Sequence, residues 1–79
     1  METDQVQALL AAGLPGAQVE VSGDGRHFSA FIVSADFVGK SLIQRHRQVM
    51  AVVRHEIDSD ALHALSITAK TPDEVADNG

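Results

Sequence analysis

Apolar positions recur along the chain with two different periods, and their alternation sets out the elements. Thr3 caps a first helix with Asp4 in its opening turn, and Val6, Leu9, Leu10 and Leu14 follow at helical spacing. Leu14-Pro15-Gly16 breaks the pattern, so the helix ends near Ala12 or Gly13. The period then falls to two. Ala17, Val19 and Val21 alternate with Gln18, Glu20 and Ser22 as a half-buried strand, and Ser22-Gly23-Asp24-Gly25-Arg26 supplies hairpin chemistry. The second strand runs from His27 to Ser34 with Phe28, Ala30 and Ile32 on one face. Phe31 and Val33 on the other predict a central strand covered on both sides. After a connector at Ala35 to Gly39, with room for one helical turn, the main helix spans Ser41 to Ile57. At 100° per residue, Leu42, Val49, Met50, Val53 and Ile57 form its buried arc, with His46 inside it and Gln44, Gln48 and His55 opposite. Asp58-Ser59-Asp60 ends that helix, and a third strand covers His63 to Ala69 with Leu65, Ile67 and Ala69 inward. Thr71-Pro72-Asp73-Glu74 is a helix start with a cap, a first-turn proline and a third-position glutamate; it leaves room for a short helix only.

The order α-β-β-α-β(-α) predicts an α+β sandwich: a three-stranded mixed sheet with helices on one face, as one domain over residues 1–79. The hairpin makes strands one and two antiparallel. The helix between strands two and three suits a right-handed crossover that makes those two parallel neighbours. His27 and His63, each opening a strand, then fall at the same end of the sheet.

Composition narrows the chemistry. The 79 residues include no cysteine, which excludes a disulfide scaffold, a cysteine nucleophile and self-sufficient thiolate ligation of an iron–sulfur cluster. The net charge of −5 opposes non-specific nucleic-acid binding. Lys40, Arg45, Arg47 and Arg54 nevertheless make a basic island, with no Asp or Glu between Phe37 and His55. The acidic N-terminus and short apolar runs predict no membrane span and a cytoplasmic protein.

No catalytic constellation stands out, and a non-enzymatic role is expected. Gly39-Lys40-Ser41 has the ending of a phosphate-binding loop, but Ser34 stands where its first glycine belongs. Of the four histidines, His55 reads as solvated and His46 as a core histidine with a hydrogen-bonded ring. His27 and His63 make a two-nitrogen site, too few for a structural metal but enough to complete a coordination sphere begun elsewhere.

Val21-Ser22-Gly23-Asp24-Gly25-Arg26-His27-Phe28 resembles the first hairpin of BolA-like proteins. The run Phe37 to Val49, centred on Arg45-His46-Arg47 after Gly39-Lys40-Ser41, is similar to their signature. His63-Ala64-Leu65-Ser66-Ile67 with Thr71-Pro72 is similar to their third strand and its exit. The resemblance covers nearly the whole chain, most closely in the form of the short acid-responsive bacterial branch. The chain departs from it at Val75, where relatives often carry tryptophan.

The resemblance implies a fold related to class II KH domains. It also implies iron–sulfur trafficking and iron homeostasis through a heterodimer with a monothiol glutaredoxin, holding a [2Fe-2S] cluster shared with glutathione. It makes His63 the first ligand candidate and His27 the second, and it carries Arg45 and Arg47, with Lys40, only as contact residues. A weak homodimer is compatible with it. The alternative is a KH-like nucleic-acid-binding regulator, which the basic island favours. The net charge, the three aromatics and Leu42 in place of the second glycine of a Gly-x-x-Gly clamp oppose that alternative.

Overall fold

A capped helix start opens the chain in the computed structural model, which describes residues 1–77. Helix α1 spans Thr3–Gly13, and its cap is Glu2, one residue before the expected Thr3. The side chain of Gln5 reaches back to accept from the Glu2 N–H at 2.7 Å, which favours that earlier start. Strands β1 (Gln18–Gly23) and β2 (His27–Val33) follow, then a 3-10 turn at Ala35–Phe37. Helix α2 (Leu42–Asp58), strand β3 (Ala64–Lys70) and helix α3 (Pro72–Asp77) complete the order. The Ser41 and Gln44 side chains satisfy each other's backbone N–H groups at the start of α2, at 3.2 and 2.8 Å.

The sheet order is β1-β2-β3, with β1 antiparallel and β3 parallel to β2. Helices α1 and α2 cover one face, and Val6, Leu10, Phe28, Ala30, Ile32, Phe37, Val49, Val53 and Leu62 form the core between the layers. The fold class and the crossover therefore agree with the period analysis.

Two expectations about faces fail. Strand β2 is central, but its second face is largely open. Phe31 is 38% exposed, and Val33 is buried only at the far end, where Val75 and Pro72 flank the same groove. Position in the order, not two-sided cover, makes β2 central. Helix α2 is also turned by roughly 50° from the hydropathy arc, at 100° per residue. Its buried line is Arg45, Val49 and Val53, whereas Leu42 is 73% exposed. Hydropathy places arginine on the surface; it does not register the acceptors that allow a guanidinium to lie inside.

The β1–β2 hairpin needs glycine twice. Gly25 has φ +96°, and Gly23 has no room for a side chain. A Cβ there would stand 2.6 Å from both the His27 carbonyl oxygen and Phe28 Cδ1. Gly23→Ala is expected to destabilise the fold by about 1–3 kcal/mol, the usual scale of overpacking. A lower urea midpoint at unchanged slope checks this; an unchanged midpoint contradicts it.

Candidate functional site

The hairpin loop holds His27 through its backbone. Asp24 Oδ1 accepts from the N–H groups of Arg26 and His27, both at 2.9 Å, and the Asp24 N–H donates to the His27 carbonyl at 3.2 Å. These N–H donors, His27's first, hold the Asp24 carboxyl below its ordinary value of 3.8. The second carboxylate oxygen lies 3.9 Å from His27 Nδ1, and the imidazole itself is 76% exposed. The loop therefore presents an exposed ring on an ordered backbone.

His63 is placed by its neighbours. Leu62 is buried in the core, and its N–H donates to the Glu56 carbonyl at 2.9 Å. Asp60 takes the left-handed conformation, φ 64°, as the chain turns out of α2. Ala64, the next residue, already pairs with His27 in the parallel β2–β3 register. His63 is thus exposed between two fixed points, one step ahead of the ladder rather than its first residue as the sequence suggested. Paired strands lie about 4.8 Å apart, so the two histidine backbones are near neighbours at one end of the sheet. His27 shares the parity of the open-face residues Ser29 and Phe31; His63, outside the ladder, is not bound to that pleat. Among the described residues, no group of three or more His, Asp or Glu side chains is arranged to hold a metal. The donor set fits completion of a centre supplied by another molecule, and does not fit a self-contained site.

The basic residues do not act as one patch. Lys40 Nζ donates to Gln48 Oε1 at 2.7 Å, and Lys40 and Arg47 line one shallow depression with Gly39 and Gln44. Arg45, expected as a surface contact, is buried. Its Nε donates to the Lys40 carbonyl at 3.0 Å, and Nη1 donates to the Ala69 carbonyl at 3.1 Å and to Glu74 Oε1 at 2.7 Å. The guanidinium also lies 6.0 Å from the Phe37 ring centre. His46, expected in the core, is exposed instead and borders a cleft beside β3. The two neighbours exchange environments because α2 is rotated as described.

Glu74 is the residue that sequence reasoning underused. Its Thr71-x-x-Glu74 spacing identifies a capping box, and Glu74 Oε1 does accept from the Thr71 N–H at 2.7 Å. The same oxygen also receives Arg45, a link across 29 residues that no local pattern encodes. The Thr71 N–H first, and the Arg45 guanidinium after it, hold the Glu74 carboxyl below its ordinary 4.5. A lowered value in the fold means that the contribution to stability is complete above about pH 4.5 and is lost as pH falls through the folded value. Glu74→Gln is therefore expected to melt below the parent at pH 7, with the gap closing progressively below pH 4.5. Thermal melts from pH 7 to 3 test this, and a gap that stays constant contradicts it. Glu74 is 43% exposed, so solvent screening keeps the effect modest.

Residues 10–74 match the family model described as BolA-like protein. The chain is 37% identical over 76 residues to the acid stress protein IbaG of Escherichia coli, covering 96% of this chain and 90% of that protein. The structure of a bolA protein homologue from Coxiella burnetii superposes with a TM-score of 0.87 at 34% identity, covering 96% and 97% of the two chains. Yeast Fra2 superposes with a TM-score of 0.78 at 26% identity, covering 96% of this chain and 85% of Fra2.

Proposed function

The chain belongs to the BolA-like family, and from that premise we propose that it is a non-catalytic partner of a monothiol glutaredoxin, supplying imidazole ligation to a shared [2Fe-2S] cluster. The observation that carries this reading is the β2–β3 register, His27 opposite Ala64, which puts exposed His63 and exposed His27 at one end of the sheet. His63 is the principal ligand, because Leu62 and the start of β3 fix its backbone on both sides. His27 is the second candidate, held by Asp24 through the backbone of the loop. Without a cysteine, this chain contributes nitrogen only; the thiolates come from the glutaredoxin and its glutathione. When bound, such a cluster provides a metal centre whose charge and potential respond to replacing a thiolate by an imidazole. The chain's residues position ring nitrogens at an open rim, and metal ligation in general uses the unprotonated form of an imidazole. A relative described as an acid stress protein is consistent with such a role.

Mixing the full chain anaerobically with a cluster-loaded monothiol glutaredoxin tests the reading. A visible absorption and circular dichroism spectrum distinct from that of the glutaredoxin alone is expected. An unchanged spectrum would sink the proposal. Nucleic-acid binding is the weaker alternative, since the burial of Arg45 removes one base from the island that favoured it.

A further inference from the structure

Strand β3 is an edge of the sheet, and the direction of its free polar groups can be worked out. The Lys70 carbonyl accepts from the Ser34 N–H, at 3.0 Å, on the β2 side. The N–H and C=O of one strand residue point to the same side, and neighbouring residues alternate. Ser66, Thr68 and Lys70 therefore face β2, and Leu65, Ile67 and Ala69 face outward. The Ala69 carbonyl receives Arg45 Nη1, which blocks the edge at that single point. The C-terminal end of this edge, with Ile67 and the N–H of Ala69 free, borders a cleft of about 310 Å³ between β3 and the first turns of α2, lined by Leu42, His46 and residues 67–70. Leu42, 73% exposed, stands at its rim and lines the cleft with Ile67 and Ala69.

We propose that this edge binds an extended, acidic segment of a partner protein by strand addition. Free backbone groups repeating every second residue match another extended backbone and little else. The charge of the occupant follows from the rim. Lys70 lines the cleft, and the facing helix brings no acid to it, since no Asp or Glu lies between Phe37 and His55; Lys40 and Arg47 line a separate depression on α2. Glu74, on the next element, is engaged by Arg45. A second copy pairing β3 with β3 is a poorer match, because Ala-Leu-Ser-Ile-Thr-Ala-Lys offers no acid to meet Lys70; pairing of β3 with a second copy's other edge strand, β1, which carries Glu20, is the dimer that the experiment below would detect. Leu42 adds an apolar contact for one side chain of the guest strand. The site is independent of the histidine rim, and either can fail without the other.

The experiment is a ¹⁵N–¹H titration of the whole chain with a blocked peptide of alternating Val and Glu, against one of alternating Val and Lys, and against an oligo-dT strand. The acidic peptide is expected to shift the Ile67 and Ala69 amides and slow their hydrogen exchange, leaving Ser66 and Thr68, already in the ladder, nearly unchanged. Ile67→Pro removes the outward donor while sparing the ladder bonds, and should abolish binding. Should that variant misfold, Lys70→Glu and Leu42→Glu are read instead, each weakening binding by about three- to fivefold, the scale of one exposed charge contact. Equal binding of the basic peptide, displacement by the oligonucleotide, responses confined to other elements, or a concentration-dependent dimer formed through the same amides each overturn the proposal. Absence of any response at Ile67 and Ala69 does so as well.

Discussion

Arg45→Ala is expected to cost about 3 kcal/mol of folding stability, the low end of the range for removing one partner from a buried charged pair. The substitution deletes donors to the Lys40 and Ala69 carbonyls and to the Glu74 carboxylate, and it empties the space beside Phe37. Carbonyls left without a donor in a buried site carry most of the cost. Glu74 is partly exposed and recovers hydration, which keeps the loss from being larger. For a chain of this size, that corresponds to a fall in melting temperature of roughly 12–24 °C. Arg45→Lys should recover only part, since one ammonium cannot serve three acceptors lying in different directions. Hydrogen exchange adds a local readout. In Arg45→Ala the amides of α3 should lose protection first, because Arg45 ties Glu74 and the end of β3 to the start of α2. A melting temperature within a few degrees of the parent would contradict the clamp.

His63→Ala is expected to do the reverse, leaving the fold intact and removing the proposed sharing of a cluster. His63 is exposed and outside the ladder, so its truncation belongs with surface changes worth within about 0.5 kcal/mol. Second-shell changes around metal ligands typically cost about 10–100-fold in metal affinity, so loss of the ligand itself should cost at least that much. The mixture with cluster-loaded glutaredoxin should then give the spectrum of the glutaredoxin alone. His63→Cys restores a ligand but of the other kind, so binding should return with a lower reduction potential, because an imidazole in place of a thiolate raises it. His27→Ala should have a smaller effect than His63→Ala. A His63→Ala protein that behaves like the parent, while melting like the parent, removes His63 from the site.

The pattern of apolar positions was enough for the element order, the hairpin and the parallel crossover, and hence for the placing of His27 and His63 at one end. These follow from local rules: a breaker at Pro15-Gly16, turn chemistry at Gly23–Arg26, and a connection long enough to hold a helix between neighbouring strands. What it misjudged lies on α2. Hydropathy turned Leu42 and His46 inward and Arg45 outward, and the fold does the opposite. The open face of β2 was misread for a similar reason, since Phe31 is apolar yet lies where no helix packs.

The sequence by itself thus determined which segments are helices and strands, how they connect, and that any thiolate must come from elsewhere, because periodicity, turn residues and cysteine count are properties of the chain. Only the tertiary structure decided which side of α2 is buried, where Arg45 ends, and what lies beside the free edge of β3. Those depend on acceptors and packing partners far away in sequence: the Ala69 carbonyl, 24 residues beyond Arg45, and Glu74, 29 residues beyond it. A charged side chain can be buried wherever the fold happens to assemble partners for it, and nothing in its local neighbourhood announces that they will be there.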